Sequence, residues 1–304
     1  MSDSRYAILN RSVLAISGEE ARTFLQGLIS NDIEKARPDQ AIYAALLTPQ
    51  GKCLFDFFII EQDKRSGGDG QLLLDVEAER ATALTQRLTM YKLRAKVDIA
   101  DVSGDFAVAA LLGTSMLDDV ELSDTIGAAR GLDGGAVFVD PRLSALGARA
   151  ILPKDTITAS LEAAGLRSGD VEDYERMRFA AGVPEGSSEL GVDKSPLLEL
   201  GFEELQGVDF EKGCFVGQEL TARMKYRGLV RKRLMPLAFD GEPPAAGTAI
   251  KAGSRDIGDL RSTGEYGGFA VLRLDKLKES TERGETLSAD DVPVTAIKPD
   301  WVNF

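Results

Sequence analysis

The run Val208-Asp209-Phe210-Glu211-Lys212-Gly213-Cys214-Phe215-Val216-Gly217-Gln218-Glu219-Leu220-Thr221-Ala222-Arg223 is unlike the rest of this 304-residue chain. Gly213 and Gly217 bracket Cys214 at positions where a backbone can turn sharply or come close to a ligand. From Gln218 to Lys225 the residues are good helix formers, which places Cys214 just ahead of a helix N-terminus. Unpaired amides there, with Lys212 alongside, favour a thiolate over a thiol. A reactive, partly exposed thiol is one reading, and a small buried cysteine in a tight turn is the other. The spacing by itself leaves both open.

Directly downstream stand six cations, Arg223, Lys225, Arg227, Arg231, Lys232 and Arg233, with no acid among them, in a chain of formal net charge −13. So acidic a chain repels phosphate backbones, which argues against direct nucleic-acid binding and for a solvated helix-to-strand linker. Past Leu229 short apolar runs recur at Arg233–Phe239, Thr248–Lys251, Gly258–Ser262 and Phe269–Leu274, punctuated by Gly and Pro. They predict a small all-β domain of the barrel kind, and domain boundaries at 1–228 and 229–304.

Upstream, Tyr6–Asn10 and Val13–Ser17 read as strands. Ser17 with Glu20 fits a capping box for a helix whose apolar stripe is Ala21, Phe24, Leu25, Leu28 and Ile29. Ala41–Leu47 and Cys53–Ile60 read as strands joined at Thr48-Pro49-Gln50-Gly51. Cys53 lies three residues before Asp56, so the two side chains take opposite faces and Cys53 is expected in the core. On pattern alone Asp56 is an outward-facing strand residue, because Phe55 and Phe57 take the other face. Further helices are expected at 78–91, 155–164 and 170–181, a polar surface region at 113–135, and a loop at 182–205.

The chain has no histidine, which removes Ser-His-Asp and Cys-His nucleophile systems, His-containing zinc sites and an imidazole base. Its two cysteines cannot supply the four thiolates that usually hold an iron–sulfur cluster, so no stable metal is expected. Apolar runs fall far short of the ~20 residues that span a bilayer, and the N-terminus lacks a basic-then-apolar signal pattern. A cytoplasmic protein without membrane partners is the expectation.

The segment Lys212-Gly213-Cys214-Phe215-Val216-Gly217-Gln218-Glu219 resembles the K-G-C-[FY]-x-G-Q-E signature of the YgfZ family, folate-binding proteins involved in iron–sulfur proteins and tRNA modification. Leu220-Thr221-Ala222-Arg223, with Gly228-Leu229-Val230-Arg231-Lys232-Arg233-Leu234, is similar to the mitochondrial branch that matures [4Fe–4S] proteins. Gly182-Val183-Pro184-Glu185-Gly186 and Phe24-Leu25-Gln26-Gly27-Leu28-Ile29-Ser30-Asn31-Asp32 resemble the same branch.

The resemblance implies an α+β fold of aminomethyltransferase type, with two interwoven α+β domains and a C-terminal β-barrel. It implies tetrahydrofolate held by Asn31, Asp32, Asp56, Tyr174, Arg178 and Arg223, with Asp56 at the position of the acid that acts on the folate. Cys214 would be the working thiol, within a motif of Lys212, Gly213, Gly217, Gln218 and Glu219. One position departs from the family pattern: Arg178-Phe179-Ala180-Ala181-Gly182 carries Ala180 where the transferases place a pterin-holding Glu, which implies weak folate binding. The expected function is that of a folate-binding, non-catalytic factor in assembly or repair of [4Fe–4S] proteins. Its partners would be iron–sulfur clients or scaffolds, and any effect on tRNA modification would be indirect. The alternative is a tetrahydrofolate-dependent one-carbon transferase or demethylase using Asp56.

Overall fold

Strands β1 (Arg5–Leu9) and β2 (Arg11–Ser17) are separated by a single residue yet enter different sheets in the computed structural model, which describes residues 3–303. Ser17 closes β2 opposite Asp98, so it belongs to the sheet and does not cap the helix that follows. That helix, α1 (Ala21–Gln26), begins at Glu20, whose carboxylate instead accepts the Lys96 amide at 2.7 Å. The capping box expected from Ser17 and Glu20 does not form because the sheet ladder takes Ser17 first.

The chain then lays down β3 (Ile42–Leu47), β4 (Cys53–Glu61) and β5 (Leu72–Glu77), followed by α2 (Ala81–Lys92) and β6 (Asp98–Asp101). These complete a five-stranded sheet in the order β3-β4-β5-β2-β6. Next come β7 (Phe106–Leu112), α3 (Met116–Asp119), β8 (Ala129–Leu132), β9 (Gly135–Val139), β10 (Ala148–Pro153), α4 (Ile157–Ala163) and β11 (Arg167–Ser168). They join β1 in a six-stranded sheet, β11-β1-β7-β10-β9-β8. Its apolar face, with Leu111, Val137, Ala150 and Leu152, packs under Met116, Ile157 and Leu161 of α3 and α4. The region 113–135, expected to be polar surface, thus supplies a helix turn and an edge strand.

The remaining elements are α5 (Val171–Ala180), α6 (Gly186–Leu190), α7 (Gln218–Arg227), β12 (Lys232–Phe239), β13 (Ala249–Ala252), β14 (Arg255–Gly264), β15 (Gly267–Arg273), α8 (Leu274–Glu282), β16 (Leu287–Ala289) and β17 (Val292–Ala296). Strands β12 to β17 close into a barrel in the order β12-β15-β14-β13-β16-β17. Closure leaves no open edge, and Leu237, Ile250, Leu260, Leu272 and Val294 fill its interior. The α+β architecture with a C-terminal barrel is the one that the resemblance implied. By contacts the chain divides into two compact units, each assembled from three segments: Met1–Leu46, Phe55–Glu175 and Leu205–Val216 in the first; Leu47–Leu54, Arg176–Glu204 and Gly217–Phe304 in the second.

Candidate functional site

In the first unit, Cys214 is exposed on a loop that is anchored through its backbone and neighbours. The Nζ of Lys212 donates to the carbonyls of Gln26 at 2.7 Å and Ile29 at 2.6 Å, just past α1, where cations suit unpaired carbonyls. The same ammonium lies 5.1 Å from the Phe215 ring. Val216 donates its amide to the Gly27 carbonyl at 3.1 Å, and Asp209 donates its amide to that of Ser30 at 3.0 Å. Burial pulls the Lys212 ammonium down to about 8, against the opposing pull of Asp32 and Asp209. The expectation placed this cation beside the thiol; in the structure it is committed to the end of α1. Gly213 has φ +94° and faces open space, so the residue before the thiol needs glycine for its backbone alone.

Gly217, in the second unit, explains the other motif glycine. It adopts φ +82° at the N-cap of α7, and a Cβ there would sit 2.4 Å from the Thr48 carbonyl oxygen. The Thr48–Gly51 turn therefore seats directly on the motif. Gln218 is half-buried and Glu219 exposed in the first turn of α7, with Arg223 exposed one turn further on. Cys53, in the same turn-bearing segment, is 2% exposed and held by backbone bonds to Ser195 and Asp193.

Asp56 is 5% exposed, not outward-facing as the alternation suggested, because strand β4 is covered on both faces. The Tyr43 hydroxyl donates to its carboxylate at 3.1 Å. Asn31 donates to the carbonyls of Tyr43 and Gln206, both at 2.8 Å, so one amide ties β3 to the segment that leads into the Cys214 loop. Asp32 accepts from Gln26 at 2.9 Å and from the Glu34 amide at 3.1 Å. A cavity of about 540 Å³ opens here, lined by Asn31, Lys35, Arg37, Tyr43 and Gln206 among others.

Between the two sheets of this unit lies a buried charge cluster that the sequence analysis missed. Arg149 bridges Asp75 of the five-stranded sheet at 2.9 Å and Asp140 at 3.2 Å; Arg142 grips Asp140 at 2.8 Å, and Arg11 pairs with Asp75. Tyr174 accepts from both Arg142 and Arg149, and the Arg149 guanidinium stacks 4.0 Å from the Phe58 ring centre. Burial would raise the Asp140 carboxyl, but Arg142 and Arg149 outweigh it and hold it below the ordinary range. The available signal was Asp140-Pro141-Arg142 and Arg149 set at or within apolar strand sequences, where unpaired charge is not tolerated.

The six residues expected at folate are drawn from both units. Asn31, Asp32, Asp56 and Tyr174 belong to the first unit, and Arg178 and Arg223 to the second. The Tyr174 hydroxyl serves the arginines above. Arg178 makes a two-point ion pair with Glu189 at 2.7 and 2.9 Å and donates to the Val183 carbonyl, while Ala180 is exposed. Of the basic run, Arg233 is buried against Glu204 at 2.7 Å and Lys225 pairs with Glu203.

Residues 231–304 match the family model for the C-terminal β-barrel domain of CAF17. The fold is that of aminomethyltransferase T of the glycine cleavage system from Bartonella henselae, with TM-score 0.74 over 99% of this chain and 87% of that one at 15% identity. The iron–sulfur cluster assembly factor IBA57 of Mus musculus is 31% identical over 96% of this chain and 83% of its own length. The Homo sapiens protein is 32% identical with the same coverage. Both relatives are mitochondrial by name, and this overturns the cytoplasmic expectation. That expectation rested on composition and on apolar run length, which any aqueous compartment shares. At this identity over most of both sequences, the chain belongs to the IBA57 family of iron–sulfur cluster assembly factors.

Proposed function

We propose that this protein serves the assembly or repair of [4Fe–4S] proteins, with Cys214 as the one sulfur ligand it offers to a cluster in transit. The observation that carries the reading is an exposed thiol on a loop whose neighbours Lys212 and Val216 are fixed to the α1 end, with the Phe215 ring against the Lys212 ammonium. A thiolate is a soft ligand suited to iron–sulfur clusters, and one chain supplies one. The cluster is cargo, its other ligands coming from the partner. On arrival Cys214 gives its proton to water and displaces one donor ligand from iron; on departure a client thiolate displaces Cys214, which takes a proton back, so ligands exchange and no electron moves.

Folate has a smaller place in this reading. A pterin presents a donor edge that wants a carboxylate, and position 180 offers alanine; Tyr174 and Arg178 are engaged internally. The residues do not fit tight tetrahydrofolate binding, and no step passes through it. We expect Kd on the order of micromolar or weaker by calorimetry, and nanomolar binding would restore folate to the mechanism. Effects on tRNA modification would follow indirectly, through iron–sulfur enzymes that modify tRNA.

The test is rescue in cells lacking the protein. Cys214→Ser should fold as the parent does and fail to restore [4Fe–4S] enzyme activity, whereas Asp56→Asn should restore it. The reverse pattern would favour the one-carbon transferase reading, in which the buried Asp56 held by Tyr43 is the acid.

A further inference from the structure

Helix α7 ends in a basic, partly apolar face within the second unit. Tyr226 is 75% exposed and Leu229 38%, on either side of Gly228, which closes the helix in the left-handed conformation by donating to the Lys225 and Met224 carbonyls. Arg223, Arg227 and Arg231 flank them in the chain, are exposed and carry no ion pair among the described residues, whereas Lys232 lines a barrel pocket with Asp256 and Asp259. The face is fixed in place: Arg233 is buried against Glu204 and the Leu198 carbonyl, and the Arg231 carbonyl accepts the Leu274 amide at 2.9 Å. An exposed tyrosine beside exposed arginines on an ordered helix end is a composition suited to a protein interface.

We propose that this face docks an acidic surface of the iron–sulfur client protein, an inference that rests on the function proposed above. Tyrosine and arginine are the residue types that carry most binding energy at protein interfaces, and a pre-ordered helix end loses little freedom on binding. The three unpaired cations Arg223, Arg227 and Arg231 stand out in a chain of net charge −13, so they steer an acidic partner to this face and away from the rest. Glu219 and the paired Glu203 lie in the same neighbourhood, where carboxylates repel a phosphate backbone but are tolerated beside a protein surface of mixed charge.

The probe is an apo [4Fe–4S] enzyme whose activity falls in cells lacking this protein, titrated with the purified full chain. Wild-type binding should weaken steeply between about 50 and about 300 mM salt, as contacts between exposed charges do. Arg227→Glu with Arg231→Glu should cost about tenfold or more in affinity and flatten that salt dependence, and Tyr226→Ala should cost a comparable factor. Tyr226→Phe and Arg227→Lys should keep binding close to wild type, and all variants should melt with the parent because these side chains are exposed. Cys214→Ser should bind the client normally while failing to activate it. Unchanged client binding by the charge reversals overturns the docking face alone. Loss of tRNA retention in gel shifts, with client binding intact, would assign the face to nucleic acid and overturn it as well. If no [4Fe–4S] enzyme loses activity in cells lacking the protein, the function itself fails and takes this partner with it.

Discussion

The Nζ of Lys212 lies 2.6 Å from the backbone carbonyl of Ile29, a residue 183 positions earlier in the chain. This bond, with its companion to Gln26, pins the loop that presents Cys214 to the end of α1. Burial leaves the ammonium with a pKa of about 8 in the folded protein against an ordinary 10.5. The unfolded chain therefore holds a proton that the folded one lacks between those values, so stability should rise as pH is raised from about 8 toward 10.5. Lys212→Met should remove that rise and cost about 1–3 kcal/mol, because two buried carbonyls lose their donor. Urea unfolding of both proteins at pH 8 and pH 10 measures the slope, and NMR of the methylated lysines should give one midpoint near 8. Midpoints all in the ordinary range would break the account of this clamp.

The two cysteines should separate cleanly. Cys214 is exposed and Cys53 is 2% exposed inside the second unit. Iodoacetamide on the native protein should alkylate Cys214 at least about tenfold faster than Cys53, since access gates the reaction. Peptide mass spectrometry over time reads both rates, and equal rates would mean that the Cys53 strand opens readily.

Asp140 neutralises two arginines in a site with no water access. Asp140→Asn keeps the shape and removes the negative charge that Arg142 and Arg149 share. The expected loss is about 3–5 kcal/mol. Because its folded pKa lies below 3.8, the wild-type contribution should persist above that pH and disappear only as pH falls further. Chemical denaturation at neutral pH tests the magnitude, and a loss under about 1 kcal/mol would show that water or a neighbour takes over.

Gly217→Ala tests the seat of the Thr48 turn. The substitution combines a left-handed backbone with a Cβ 2.4 Å from a carbonyl oxygen, so about 2 kcal/mol or more should be lost. Gly213→Ala, with the same left-handed backbone but open space, should cost less. Equal losses in thermal melts would mean that conformation alone, not the contact with Thr48, explains the second glycine.

The sequence by itself determined the local chemistry of this protein. The eight residues from Lys212 to Glu219, the Gly-punctuated tail and the hairpin turn at Thr48–Gly51 are signals that neighbouring residues carry together, and they were enough for the α+β class and the barrel, while the exposure of Cys214 came from the fold. Tertiary structure decided what those signals could not contain. Alternation placed Asp56 outward because it cannot register that β4 is covered on both faces. The strands β8 to β10 went unread, and with them the Asp75, Asp140, Arg142 and Arg149 cluster, because those charges come from different strands and become neighbours only when two sheets close over them. Lys212 gives the same lesson at the site: the sequence puts it two residues from the thiol, while the fold turns its ammonium onto carbonyls of Gln26 and Ile29. Local order follows from adjacent side chains and backbone preferences, whereas the partner of a buried charge is set by which distant segments exclude water from it together.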